Sequence, residues 1–361
     1  MTASARIPRQ ARARLEVLLG ALAFAASVPA GKFLLHDLPP LVVSGGLYLS
    51  AGLLCAALLW VGSIRHPESR GSRLQGSEWA WLAAAVAAGG VLGPIALFYG
   101  LRSTDGYVAG LLLNFEAVFT VGLGALISSE RVGRRGTFGI LLVLGGALLL
   151  SGIGSGRARV GHLLGPALVV VACACWGLDN NFTQRVSIRD ARQIVAIKGL
   201  VGGAVSLTLA WLLGQARHAP GGVAILSLSL VGALSYGISI ALFIRGLRDL
   251  GVVHTGALFA LAPGFAAALS WVFLREPVGP TGVIALLGMT AGALLLSTDV
   301  HAHEHTHEAL EHVHEHEHDE HHQHDHLPGE LERVPHAHWH RHESLTHSHP
   351  HPHDVHHRHP H

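Results

Sequence analysis

The chain has 361 residues, of which 50% are hydrophobic and 14% are charged, and its formal net charge at pH 7 is +1. Before residue 300 the charges are confined to short connectors between long apolar runs, a pattern that excludes a soluble globular protein. The near-zero net charge does not point to a particular partner, and we expect no nucleic-acid binding.

The apolar runs predict ten membrane-spanning helices, because each is close to the roughly 20 residues that cross a bilayer as an α-helix. A basic segment, residues 1–14, precedes a first span that we expect to be retained rather than cleaved as a signal peptide. The fold class is therefore predicted to be all-α and integral to the membrane. The predicted spans are residues 15–35, 38–62, 78–101, 105–128, 135–155, 163–184, 190–213, 222–247, 250–274 and 279–298.

The distribution of Lys and Arg between alternate connectors indicates the orientation of the chain. If the N-terminus is cytoplasmic, fifteen of these residues lie on the cytoplasmic side and six on the opposite side. The positive-inside rule favours this arrangement. Ten spans return the C-terminus to the same side, so we expect both termini in the cytoplasm and the spans in a bacterial-type inner membrane.

The second half of the membrane region (residues 163–298) repeats the first (residues 15–155) at an almost constant offset. Each half holds five predicted spans, an odd number, so the halves must cross the membrane in opposite directions. Such an inverted repeat is typical of alternating-access transporters, whose substrate site lies near the midplane between the halves. The matched positions are Ile95–Phe98 with Ile240–Phe243, Gly110 with Gly256, Leu112 with Leu258, Phe119 with Phe265, Glu130–Gly133 with Glu276–Gly279, and Ala147–Ser151 with Ala293–Ser297.

Because of this duplication and the segments given below, residues Leu15 to Ser297 resemble the ten-span EamA-type permeases of the drug/metabolite transporter superfamily. The resemblance implies a multi-pass inner-membrane carrier of small metabolites with both termini in the cytoplasm. It does not imply the histidine-rich segment that follows. The segments that carry the resemblance are Asn114-Phe-Glu-Ala-Val-Phe-Thr120, Trp176-Gly-Leu-Asp-Asn-Asn-Phe-Thr183, Lys198-Gly199, and the glutamates that close the fourth span of each half, Glu130 and Glu276.

Charged side chains within a bilayer are costly, and they mark either transport pathways or internal pairs. Glu116 lies near the middle of the fourth predicted span, where an isolated carboxylate must be protonated or find a partner. Because no cation is obvious at its depth, we interpret Glu116 as a proton-coupling or substrate-binding residue rather than a structural one. Lys32, near the outer end of the first span, is expected to extend its ammonium to the membrane interface.

Asp179 and Lys198, in the sixth and seventh spans, are predicted to lie about 8–9 Å from the same membrane surface, at 1.5 Å per residue. These spans are antiparallel neighbours, so the two side chains can meet. Two interpretations stay open: either the pair lines the cytoplasmic half of the cavity with Asn180 and Asn181, or it locks two helices together while the asparagines form interhelical hydrogen bonds. His254 lies near the same depth and is a weaker candidate.

Residues 301–361 carry 24 of the 29 histidines, alternating mainly with acidic residues, Arg and Pro. This segment has too few large apolar residues to bury a core, so residues 299–361 are predicted to be a disordered cytoplasmic tail. Neutral imidazole suits Ni, Co, Zn and Cu ions, and their affinity is expected to fall below about pH 6.5. The predicted ligands are His301, His303, His305, His307, His312, His314, His316, His318, His321, His322, His324 and His326.

Three functions compete at this point. The first, which we favour, is a secondary transporter, proton-linked and exporting, of a small organic metabolite or drug, with a tail that binds metal for regulation or sequestration. The second is a transition-metal or metal-chelate efflux carrier whose tail collects or senses the ion. The third is a metal buffer anchored by a membrane domain. We expect no enzyme activity and no required cofactor, and the protein is expected to be a monomer or a homodimer.

Overall fold

The computed structural model describes residues 9–65, 76, 78–128, 133–151, 160–186, 190–216 and 220–297, together with four strands in the tail. Residues up to Asp299 belong to one compact unit and Val300–His351 to another. The described residues of the first half form helices α1 (Arg9–Ala25), α2 (Ser27–Asp37), α3 (Pro40–Arg65), α4 (Glu78–Ala85), α5 (Gly93–Arg102), α6 (Gly106–Leu112), α7 (Phe115–Ser128) and α8 (Arg134–Ser151), with a π-helical segment (Val86–Leu92) between α4 and α5.

The second half has the same order of elements. Its described helices are α9 (Val160–Gln184), α10 (Ala191–Leu212), α11 (Gly222–Val231), α12 (Ser239–Phe259), α13 (Ala262–Leu274) and α14 (Pro280–Ser297), and a second π-helical segment (Gly232–Ile238) lies between α11 and α12. The two π-helical segments lie in the third span of each half, at equivalent positions in the repeat. The duplication read from the sequence therefore extends to a departure from α-helical geometry.

Eight helical stretches among the described residues are long and apolar enough to cross a membrane, beginning with Ala11–Asp37 and ending with Thr255–Leu274. Helices α8 and α14, each of 18 residues, lie at the position of the predicted fifth span in each half. The predicted all-α integral membrane fold with two five-span halves is confirmed. Equivalent helices of the halves pack on each other at glycines: a Cβ on Gly199 of α10 would lie 2.7 Å from Gly52 Cα of α3, and a Cβ on Gly139 of α8 would lie 2.6 Å from Gly292 O of α14.

Three of the predicted spans are interrupted. The first span divides at Ala26, because Pro29 has no N–H to donate to the carbonyl of Ala25. The ninth divides after Phe259 for the same reason, since Pro263 follows four residues later. The fourth divides at Leu113–Asn114, where the Asn114 side chain donates to Leu111 O at 2.8 Å and so competes with the helix for a carbonyl. The breaks in the fourth and ninth spans lie within one residue of equivalence in the repeat.

The eighth and ninth spans meet inside α12, although the sequence predicted a connector between them. A Cβ on Gly246 would lie 3.1 Å from Thr255 Cγ2. Nine residues of straight helix would separate these positions by about 13.5 Å. The chain therefore reverses direction within α12, and the two spans remain antiparallel as predicted.

The tail unit contains two antiparallel strand pairs in its described residues. Strands β1 (His301–His307), β2 (Leu310–His316), β3 (His336–His342) and β4 (Leu345–His351) pair as β1 with β4 and β2 with β3. Histidine at every second position matches the two-residue period of these strands. Five predicted metal ligands lie outside the described residues, namely His318, His321, His322, His324 and His326.

Candidate substrate and coupling site

Glu116 lies in the first turn of α7, directly after the break in the fourth span. Its Oε1 accepts a hydrogen bond from Asn180 Nδ2 of α9 at 3.1 Å, and the same amide donates to Thr120 Oγ1 at 3.0 Å. Backbone N–H groups at the start of a helix favour negative charge, so the break places a carboxylate where the helix dipole stabilises it. Asn180 is exposed, and Glu116 as a whole residue is partly exposed.

Asp179 and Lys198 form an ion pair, and the contact predicted from their depths is confirmed. Lys198 Nζ lies 2.5 Å from Asp179 Oδ2 and 2.6 Å from Oδ1, and the Thr183 hydroxyl donates to Oδ1 at 2.9 Å. The carboxylate and the ammonium are 8% and 17% exposed. Gly89, in the first π-helical segment, lies directly against the Asp179 carboxylate, where any Cβ would overlap it.

The two polar groups are not independent. Lys198 and Asp179 are both within electrostatic range of Glu116. The link is α9, because Asn180 binds Glu116 while the preceding residue, Asp179, binds Lys198. Successive helix residues point about 100° apart, so one turn of α9 contacts both sides of the site.

Asn181 differs from Asn180. It is buried, and its Nδ2 donates to Thr120 O at 3.1 Å and to Gly177 O at 2.8 Å. A Cβ on Gly177 would lie 2.6 Å from Phe119 Cβ, so α7 and α9 are in close contact at this level. The structure thus separates the two asparagines: Asn181 contacts main chain between helices, whereas Asn180 contacts the site.

His254 lies in α12, but its side chain is outside the described residues. Among the residues whose side chains the structure describes, no group of three or more His, Cys, Asp or Glu could hold a metal ion. The described strands place predicted tail ligands opposite other histidines, as in His303 with His349 and His314 with His338.

Aromatic residues around the site were missed by the sequence analysis. Tyr48 and Trp176 donate to the same carbonyl, Gly89 O, at 3.1 and 3.2 Å. The ring of Tyr48 lies 5.4 Å from that of Tyr236, and Tyr236 contacts Phe24 edge to face at 5.7 Å. The signal that could have found them is the occurrence of tyrosine in the middle of two spans, one in each half.

Lys32 is bound by main chain at the end of α5 and in the connector that follows it. Its ammonium donates to Leu101 O and Thr104 O, each at 2.7 Å, because the end of α5 leaves carbonyls without helical partners. At the same end of the bundle, Glu276 accepts from Gly106 N and Tyr107 N, each at 2.6 Å, and so caps the start of α6 from the other half. We call this the Lys32 end, and the opposite end, where α9 finishes, the Arg185 end.

The chain matches a family twice, and the matched residues, 13–152 and 163–298, correspond to the two halves of the fold. The chain belongs to the EamA-like transporter family. An uncharacterized transporter of Methanothermobacter thermautotrophicus is 28% identical over 290 residues, covering 76% of this chain and 84% of the relative. The uncharacterized transporter YdeK of Bacillus subtilis is 27% identical over 266 residues, covering 72% and 88%.

This EamA-like protein is also similar to a named relative and to a solved structure. A protein of Salmonella typhimurium named as a probable amino-acid metabolite efflux pump is 26% identical over 165 residues, covering 45% of this chain and 50% of the relative. A solved crystal structure has the same fold, with a TM-score of 0.57 at 18% identity, covering 79% of this chain and 96% of the other.

Proposed function

We propose that this EamA-like protein is a secondary transporter that exports a small organic metabolite by alternating access, with Glu116 as its proton-binding group. The observation that carries the proposal is the position of Glu116 at the start of a half-helix in the middle of the fourth span, bonded across to α9 by an exposed amide. Discontinuous spans of this kind form the ion and substrate sites of inverted-repeat transporters.

The chemistry of the site favours an organic ligand over a dehydrated metal ion. Its described groups are carboxylates, an amide, a hydroxyl and an ammonium, with tyrosine and tryptophan beside them. Transition metals prefer imidazole and thiolate ligands. The efflux-pump relative of Salmonella typhimurium supports export and a substrate related to amino acids.

The orientation belongs to the same proposal. With both termini in the cytoplasm of a bacterial-type inner membrane, the Arg185 end faces the cytoplasm and the arginine-rich connectors agree with the positive-inside rule. We also propose that the tail binds Ni, Zn, Co or Cu and regulates the carrier or sequesters the ion, since 24 histidines crowd residues 301–361.

The test is transport by the purified full chain in proteoliposomes with an imposed pH gradient and a panel of amino acids and their metabolites. Glu116→Gln keeps the size and hydrogen-bonding capacity of the side chain but cannot carry a charge, so proton-driven transport is expected to stop. Glu16→Gln is the matched control, because Glu16 pairs with Arg12 and Arg245 away from this site. Unchanged transport by Glu116→Gln would remove Glu116 from the mechanism.

A further inference from the structure

The halves of the bundle are in close contact at the Lys32 end. A Cβ on Gly110 of α6 would lie 2.6 Å from Ala267 N and 2.9 Å from Ala266 C of α13. One turn earlier, a Cβ on Gly106 would lie 2.6 Å from Leu274 Cδ1. The fourth and ninth spans therefore touch backbone to backbone here, and the Glu276 cap on α6 fastens the contact.

The equivalent position in the other half has no such contact with the described residues. Gly256 is the repeat counterpart of Gly110, yet a Cβ on Gly256 would have none of their heavy atoms within 4 Å. The repeat offset that pairs Gly110 with Gly256 also pairs Ala266 with Thr120 and Ala267 with Val121. The counterpart of the contact between Gly110 and Ala266–Ala267 would therefore be a contact between Gly256 and Thr120–Val121. In an inverted repeat each end of the bundle can adopt the conformation of the other. In this structure the glycine contact is present at the Lys32 end, at Gly110, and its counterpart at Gly256 is absent among the described residues.

The face of α7 that carries Thr120 and Val121 is accessible to solvent. Thr120 and Val121 are partly exposed, and Asn180, which donates to Thr120 Oγ1, is exposed. Thr120 therefore belongs both to the surroundings of Glu116 and to the surface that Gly256 would meet. A movement that brought Gly256 onto this face would cover the Glu116–Asn180 site from the Arg185 end.

We propose that Gly256 is the closing contact of the Arg185 end. The described conformer is closed at the Lys32 end, and transport alternates it with a second conformer in which Gly256 packs on the backbone of Thr120–Val121 while Gly110 separates from Ala267. Glycine is required at both positions because a side chain would hold the backbones apart. The inference rests on the alternating access of the proposed function.

The test replaces glycine by leucine, a wedge that holds two helix backbones apart, and adds a cysteine whose labelling reports accessibility. Ala117→Cys adds a thiol to α7, one turn from Thr120 and Val121 and partly exposed in this conformer. A membrane-impermeant maleimide is applied to inside-out vesicles, without substrate or pH gradient, and labelling is measured above that of the chain without the added cysteine. Transport is measured in parallel in the same variants without the reporter.

Gly256→Leu should block closure of the Arg185 end, so labelling stays at or above its level in the unwedged reporter chain while transport falls at least about tenfold. Gly110→Leu should block closure of the Lys32 end, so labelling falls at least about threefold. Gly145→Leu is the matched control: Gly145 and its repeat counterpart Ala291 are both exposed, and a Cβ on Gly145 would meet no described residue within 4 Å. Labelling and transport by this variant should match the protein without a wedge.

Gly256→Ala provides a milder variant in case the leucine prevents insertion, and its transport should fall between those of glycine and leucine. Wild-type transport by both Gly256 variants, or the same labelling change in the Gly256→Leu and Gly110→Leu chains, would overturn the proposal. Labelling needs neither protons nor substrate, so it tests the closing contact independently of the role of Glu116. If Glu116→Gln transports normally while the two wedge variants change labelling in opposite directions, the coupling role of Glu116 is refuted and the closing contact at Gly256 is supported.

Discussion

Lys198 Nζ lies 2.5 Å from Asp179 Oδ2, in an ion pair that joins the sixth and seventh spans and is largely removed from solvent. Removing one partner leaves the other charge without compensation. Lys198→Met is therefore expected to lower the free energy of unfolding by about 3–5 kcal/mol, and Asp179→Asn with Lys198→Met to recover most of that loss. Thermal unfolding in detergent measures both.

Transport by this double variant then separates the two interpretations of the pair. A stable double variant that transports normally identifies a pair that only locks helices together. A stable variant that does not transport identifies groups of the substrate pathway. If Lys198→Met unfolds like the wild-type protein, the pair does not lock the two helices together and that interpretation fails.

The two neighbouring asparagines should respond differently to alanine. Asn180→Ala removes the donor to Glu116 and Thr120 from an exposed position, so transport should fall while the free energy of unfolding changes by less than about 0.5 kcal/mol. Asn181→Ala removes buried hydrogen bonds, so unfolding should become easier by about 1–3 kcal/mol. Equal effects on stability would contradict the separation of their roles.

Gly89 should tolerate no side chain. A methyl group there would overlap the Asp179 carboxylate, so Gly89→Ala is expected to destabilise the protein by about 1–3 kcal/mol and to disturb the Lys198 pair. Gly145→Ala is the control: an exposed helical glycine gains roughly 0.5–1 kcal/mol on replacement by alanine. Comparison of the two melting curves measures the difference, and a Gly89→Ala protein as stable as wild type would count against this contact.

Glu276 should stabilise the Lys32 end as the cap of α6. Glu276→Ala removes both acceptors from Gly106 N and Tyr107 N and should cost about 0.5–2 kcal/mol of stability. Glu276→Gln keeps one acceptor and should lose less. Hydrogen exchange at the amides of residues 106 and 107 is the direct measurement, and protection that survives in Glu276→Ala would show that another group caps the helix.

Metal binding should reside in the tail. A chain ending at Ser297 is expected to lose Ni and Zn binding measured by calorimetry, while transport in proteoliposomes continues, because the described site uses residues of the membrane unit alone. Binding by the full chain should weaken below about pH 6.5 as imidazoles protonate. Metal affinity retained by the shortened chain would move the site into the membrane region, and would revive the metal-carrier alternative.

The membrane fold was readable from the sequence because apolar runs and a duplicated pattern survive without knowledge of packing. The Asp179–Lys198 contact was readable for a similar reason, since depth along two antiparallel helices follows from counting residues. Asn180 as the partner of Glu116 was not readable, because the relative rotation of α7 and α9 depends on the close contact at Gly177. Pro29 and Pro263 account for two of the helix breaks, whereas the break at Asn114 depends on a side-chain hydrogen bond.

The two π-helical segments have a consequence for any engineering of this chain. Each accommodates an additional residue in its turn, so the faces of the third span before and after Val86–Leu92 are out of phase with an ideal α-helix. Deleting one residue there would remove the additional residue and restore regular α-helical winding between α4 and α5. Pro94 to Arg102 would then keep the same stripe toward α9, so a single-residue deletion at Ala87 or Ala88 should disturb the packing far less than one within α5, which would rotate every later residue of that helix by about 100°.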